Sequence, residues 1–126
     1  MSTGTGYLLV FAGAGAGGAL RHAVNRLALT SASSFPWSTM AVNITGSVAM
    51  GIIAGWFAFR SNVAEQPIAL FLITGVLGGY TTFSAFSLDA LLLWERGDLK
   101  GALLYIGGTI TLSLAGLYFG LTAMRT

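Results

Sequence analysis

Apolar residues run along almost the whole chain, interrupted by three short polar stretches, and that pattern sets the first expectation. A membrane-spanning helix needs about 20 mostly apolar residues. Four such runs can be placed, at about 6–29, 39–59, 67–94 and 99–124. The stretches between them carry loop punctuation. Thr30 to Pro36 is serine-rich and ends on proline, Arg60 to Pro67 ends on a proline suited to a first helical turn, and Glu95 to Lys100 is short and charged. Almost nothing remains for a soluble domain, so residues 1–126 read as a single all-α transmembrane domain. Tyr7, Trp37, Trp56 and Trp94 fall near the predicted ends, where amphipathic rings favour the headgroup level.

Polar residues inside these runs are few and patterned. Thr39, Asn43 and Ser47 recur at i, i+4 and i+8, which puts them on one face of the second helix. Tyr105, Thr109 and Ser113 repeat the spacing in the fourth. Lone hydroxyls in membrane helices usually bond their own backbone, but the Asn43 amide has donors and an acceptor that lipid cannot satisfy. The two stripes are either interhelical glue or the lining of a conduit. Hydroxyl and amide donors without a carboxylate suit an anion better than a cation or a proton. The third run holds Gly78 and Gly79 followed by Tyr80, Thr81 and Thr82, all poor residues for a helix centre, which predicts a break near 78–83. Broken helices at membrane depth persist where their freed carbonyls and amides face protein or water, and they commonly form ion sites. Freed carbonyls favour a cation. Phe83 and Phe86 follow the break at a spacing usual for packing, yet a ring turned edge-on can also receive an anion.

Composition narrows the function classes. The chain is 55% hydrophobic and 8% charged, against about 25% charged in ordinary soluble domains. A formal charge of +2, scattered along the chain, is no nucleic-acid footprint. The absence of cysteine excludes disulfides, thiolate metal sites and thiol nucleophiles. No Lys or Arg occurs in Met1 to Gly6, which speaks against a cleaved signal peptide. Four spans would put both termini on one side. That side holds Arg60 and Arg125, and the other holds Arg26, Arg96 and Lys100, with Arg21 deeper in the first helix. Such a bias is too small to fix one orientation, which leaves insertion both ways round open.

Two features need weighing against simpler accounts. Gly13 to Gly18 fits a dinucleotide-binding glycine pattern, but no acidic residue occurs before Glu65 to hold a ribose and no βαβ pattern follows. Gly13 and Gly17 are better read as a GxxxG surface for close helix packing. Arg21 either snorkels to the headgroups or draws anions toward a pore mouth. His22 has no second ligand at helical spacing with which to share a metal, and no hydrolytic motif occurs, so the chain reads as no enzyme.

Taken together, Gly17 to Arg21, Ser38 to Asn43 and above all Gly75-Val-Leu-Gly-Gly-Tyr-Thr-Thr-Phe-Ser-Ala-Phe-Ser87 closely resemble the Fluc (CrcB) family of fluoride channels, over essentially the whole length. The resemblance implies an antiparallel, dual-topology homodimer in a bacterial plasma or inner membrane. Two pores per dimer would pass fluoride outward passively and so confer fluoride resistance. It further implies a structural sodium ion at the dimer centre, bound by the backbone carbonyls of Gly78 and Thr81 from both subunits. Phe83 and Phe86 match the pore phenylalanines, Asn43 the pore asparagine, Ser113 the fourth-helix hydroxyl and Arg21 the vestibule arginine. Tyr105 and Thr109 fall near that line, with Thr39 at the start of the second-helix face. Ser38 stands where glycine is common, Ala85 where threonine is common, and Asp89 where some members have glutamate. The competing expectation is a small dual-topology drug/proton antiporter. It would need a proton-binding carboxylate within the membrane, and Asp89 is the only candidate.

Overall fold

The computed structural model describes residues 1–28, 34–61 and 66–126, and all its regular elements are helical. Helix α1 spans Thr3–Ala28, α2 Trp37–Phe59 and α6 Leu99–Ala123. The segment between α2 and α6 is composite. α3 (Gln66–Ala69) passes into a π-helical run, Leu70–Leu77, and then into α4 (Gly78–Tyr80). After two extended residues, α5 runs over Phe83–Glu95. The expected end of the first run at Leu29, together with loop residues 30–33 and 62–65, lies outside the described residues.

Three of these stretches are long and apolar enough to cross a membrane: Trp37–Phe59, Gln66–Glu95 and Leu99–Ala123. α1 is long enough at 26 residues but is not among them. Its many glycines add little apolar surface, and Arg21, His22, Asn25 and Arg26 occupy its last two turns. Burial departs from that of a water-soluble domain in the many large apolar side chains left exposed. Thr39, Thr82 and Thr109 are buried, while Phe11 is 80% exposed and Tyr7 76%. That distribution suits a hydrocarbon solvent, in which polar groups seek one another and phenyl rings do not need cover.

Glycines set how closely the helices approach. α1 lies along the π-helical run and α4, and α2 lies along α6. A Cβ added at Gly13 would come 2.6 Å from the Phe71 carbonyl and 2.8 Å from Gly75 Cα. One at Gly17 would collide with the Val76 carbonyl and sit 2.8 Å from the Tyr80 nitrogen. The GxxxG spacing in α1 is therefore a backbone-to-backbone seam, the arrangement through which dispersion contacts hold membrane helices together. Gly51 and Gly120 do the same between α2 and α6, against the Leu117 and Val48 carbonyls respectively. At the other side of the molecule, Phe86, Leu93, Ala102 and Tyr105 form a buried cluster between α5 and α6.

The α5–α6 connection closes through local backbone bonds, and Arg96 Nη2 ties it to the loop before α2 by donating to the Ser34 carbonyl at 3.3 Å. Gly97 takes φ +83°, a left-handed conformation that favours glycine. Asp98 N–H then donates to the Leu93 carbonyl and Gly97 N–H to the Trp94 carbonyl, each at 3.0 Å. Both bonds are those of a Schellman C-terminus. The Asp98 carboxylate in turn accepts from Gly101 N–H at 2.9 Å and caps α6.

The α1 seam predicts a position-specific penalty. Gly17→Ala should lower stability by ~1–3 kcal/mol through overpacking. Gly15→Ala and Gly18→Ala, where an added Cβ meets nothing within 4 Å, should be close to neutral. Tryptophan-fluorescence melting of the detergent-solubilised protein measures the difference, and equal midpoints for all three variants would refute the seam.

Candidate functional site

Where the helix is interrupted, backbone groups lose their intrahelical partners and must find others. Gly78 and Gly79 remain helical. The chain leaves the helix at Thr81 (φ −81°, ψ 157°) and Thr82 (φ −152°, ψ 115°), β-branched residues at ease in extended geometry. Gly79 is needed for packing, since a Cβ there would collide with the Ala14 backbone of α1. Thr81 closes the first half, its N–H and its hydroxyl both donating to the Leu77 carbonyl, at 3.0 and 2.9 Å. Thr82 opens the second half, its hydroxyl accepting from Ala85 N–H at 3.1 Å as the N-cap of α5.

Asn43 of α2 holds the break from the side. Its Oδ1 accepts from Thr82 N–H at 2.8 Å, and its Nδ2 donates to the Thr82 carbonyl at 3.0 Å. One side chain thus replaces two missing backbone partners. Sequence reasoning treated Asn43 as a donor to a transported ion. The structure assigns its acceptor and one N–H to the backbone, and no described bond uses the second N–H. Arg21 reaches the same place from α1, its Nε donating to the Gly79 carbonyl at 3.2 Å. A cation at a helix C-terminus also opposes the negative end of the helix dipole.

Beside the clamp lies a cavity of about 340 Å³ between α2, α5 and α6. Asn43, Ser47, Thr81, Thr82, Phe83, Phe86, Thr109 and Ser113 line it, with Ile110 and Leu114 completing the wall. None of these carries a formal charge. The hydroxyl oxygens of Thr109 and Ser113 are buried there without a hydrogen-bond partner. Buried hydroxyls left unpartnered cost free energy. Thr122 has one too, outside the cavity, whereas those of Thr109 and Ser113 lie in the cavity wall, where a polar visitor can bond them. Phe83 is 79% exposed and Phe86 buried, and their ring centroids are 5.7 Å apart with planes at 55°. The cavity therefore offers hydroxyl donors on α6 opposite aromatic rings on α5.

Of the predicted pathway residues, two stand apart from that cavity, as do Arg21 and Gly78. Tyr105 is fully buried, packed on Phe86 with centroids 5.2 Å apart and edge-on to Phe35 at 5.6 Å. Its hydroxyl donates to the Asp89 carboxylate at 3.2 Å, and Thr39 lies against the same hydroxyl. Neither Tyr105 nor Thr39 lines the cavity. Tyr105 backs Phe86, and Thr39 lies against Tyr105. The Tyr105–Asp89 bond went unread in the sequence, although an isolated carboxylate in an apolar helix is a signal that some donor must face it.

A resident metal would have to rely on backbone oxygen. No group of three or more His, Cys, Asp or Glu able to hold a metal ion occurs among the described residues. The Thr81 carbonyl, by contrast, accepts none of the described hydrogen bonds, and Gly78, three residues before it, is exposed. Carbonyl oxygen fits a hard cation.

Comparison with known proteins follows from this geometry. The family model described as CrcB-like protein, Camphor Resistance (CrcB), matches residues 8–121. A protein named fluoride-specific ion channel FluC 2, from Nitrobacter hamburgensis, is 54% identical over 120 residues, covering 94% of this chain and 96% of its own. Fluoride-specific ion channel FluC from Rhodopseudomonas palustris is 51% identical over 120 residues, with the same coverage of both chains. A third, of the same name, from Methylobacterium nodulans, is 52% identical over 118 residues and 94% of each chain.

The clamp predicts its own test. Asn43→Ala leaves the Thr82 N–H and carbonyl unpartnered at a buried position, at ~1–3 kcal/mol per group. Hydrogen exchange at the Thr82 amide should therefore accelerate at least about tenfold. Ser47→Ala, which removes a hydroxyl from the same cavity without touching the break, should leave that rate unchanged. Unaltered exchange in Asn43→Ala would show that the amide does not hold the break.

Proposed function

We infer that this chain, which belongs to the CrcB family, is a fluoride-specific ion channel passing fluoride down its own gradient. The observation carrying this reading is the pair of unpartnered hydroxyls, Thr109 and Ser113, facing Phe83 and Phe86 across an uncharged cavity. Fluoride is small and strongly hydrated, so a path must replace much of its water shell with donors. The hydroxyls of Thr109 and Ser113 and the remaining N–H of Asn43 supply them, and the positive ring edges of Phe83 and Phe86 add contacts without formal charge. Weak neutral contacts permit entry and exit alike, as conduction requires. Tyr105 backs Phe86, with Thr39 against Tyr105. Arg21, at the end of α4, supplies positive potential near the interruption.

The finer reading is an antiparallel, dual-topology homodimer in the bacterial inner membrane, with α1 as a further span and the interruption at Thr81–Thr82 at membrane depth. Several observations support it. The Gly78 and Thr81 carbonyls of one chain would meet only part of a cation's coordination shell, and a second copy in opposite orientation would complete it. A sodium ion held there would join the subunits and offset nearby anionic charge. The near-balance of arginine and lysine between the two ends suits insertion both ways round. The antiporter alternative draws no support from the relatives, and Asp89 lies outside the cavity, hydrogen-bonded by Tyr105.

Fluoride efflux from liposomes holding the purified chain tests the proposal, with chloride efflux as the control. Wild-type protein should pass fluoride and not chloride. Phe83→Ile, which keeps bulk but removes the ring edge, and Ser113→Ala should each slow fluoride at least about tenfold, the ~1.4 kcal/mol expected for loss of one contact to an ion. Equal rates for the two anions, or indifference to both substitutions, would overturn it.

A further inference from the structure

At the end of the molecule where α2 and α6 terminate, an apolar groove of about 350 Å³ is lined by Ile52, Ile53, Trp56, Ile68, Leu72 and Met124. It lies away from the cavity described above and shares no residue with it. Its volume is within the range of ligand clefts. Ile68 is 54% exposed and Ile52 41%, so the groove opens outward.

What distinguishes this groove from the rest of the apolar surface is its rim. Arg60, the C-cap of α2, donates from Nε to the Met124 carbonyl at 3.1 Å. Its guanidinium carbon also lies 5.9 Å from the centre of the Trp56 ring. Both contacts are to groove-lining residues, so the guanidinium is fixed at the mouth with its terminal nitrogens in none of the described bonds. Arg125 stands one residue beyond Met124, its guanidinium carbon 5.5 Å from the centre of the Phe59 ring. Arg60 is therefore held at the mouth of a hydrocarbon-sized slot by two of its lining residues, and Arg125 follows the lining residue Met124 in sequence as a second cation at the same chain end. Arginine binds phosphate oxygens through paired N–H donors, and a tryptophan ring marks the level of the headgroups.

We propose that this groove is a binding site for one anionic glycerophospholipid, an acyl chain lying along Ile53, Ile68 and Leu72 and the phosphate held by Arg60 and Arg125. Charge complementarity selects an anionic lipid over a zwitterionic one. The continuity of arginine, tryptophan and aliphatic wall selects a lipid over a free anion.

Native mass spectrometry of the purified full chain in a neutral detergent reads the site directly. Phosphatidylglycerol and phosphatidylcholine with the same acyl chains are added in turn. Phosphatidylglycerol should be retained at one molecule per chain, well above phosphatidylcholine. Arg60→Gln should weaken retention about fivefold, as expected for one basic residue facing an anionic lipid, and Arg125→Gln comparably. Ile68→Trp, which fills the groove and keeps both arginines, should abolish retention. Equal retention of the two lipids, indifference to Arg60→Gln, or displacement by chainless glycerol phosphate at the same concentration would overturn the proposal. A change of oligomeric state in Ile68→Trp would likewise overturn it, identifying the groove as a contact between copies of the chain.

Discussion

A backbone amide or carbonyl that leaves its helix at a buried position, as at Thr82, has no water to turn to. The architecture around Thr81 and Thr82 follows from that constraint. Two residues leave the helix, and side chains from three elements converge on the interruption: Asn43 from α2 bonds both polar groups of Thr82, Arg21 from α1 takes the Gly79 carbonyl, and Thr82 caps α5 itself. The glycine seams serve the same end. Gly13 and Gly17 bring α1 close enough for Arg21 to reach α4, and Gly46 makes room on α2 for Thr81 and Tyr80. Packing and satisfaction of the break are therefore one problem, solved by small residues and a few long polar ones.

The same constraint shapes the cavity. At the interruption both backbone groups of Thr82 are bonded, whereas the Thr109 and Ser113 hydroxyls along α6 are left open. Thr122, further along the same helix, also carries a buried hydroxyl without a partner, so it is the place of Thr109 and Ser113 in the cavity wall, and not the missing bonds alone, that makes them donors to a visitor. Their position opposite two phenyl rings on the restarted helix gives that visitor a neutral path between donors and ring edges.

Much of this was legible in the residues. Hydrophobic run lengths located the helices to within a few positions, and the i, i+4, i+8 spacing of Asn43 with Ser47 and of Thr109 with Ser113 put each pair on a face that meets the other. The GxxxG pair in α1 read correctly as a packing surface because glycine spacing reports directly on backbone approach. Other features were not legible. The π-helical winding of Leu70–Leu77 has no signature in local propensity. Gly78 and Gly79 drew attention as the weak point, yet tertiary contact with α1 keeps them helical and moves the departure to the threonines. The double bond from Asn43 to Thr82 spans 39 residues of sequence, and the Tyr105 placement depends on Asp89 lying across from it; both are three-dimensional coincidences that no single-helix pattern encodes.

The turn at Gly97 and Asp98 has a bearing on biogenesis. α5 is only 13 residues long, about 20 Å at 1.5 Å per residue, too short to cross a bilayer by itself. The Schellman closure and the Asp98 cap need nothing beyond residues 93–101, so the hairpin can form as soon as that stretch emerges during synthesis. Because Leu93 and Ala102 pack across the same joint, the short half-helix and the long one that follows it form one packed hairpin. The joint between α5 and α6 is thus specified largely within a few residues, whereas the Asn43 clamp joins groups 39 residues apart.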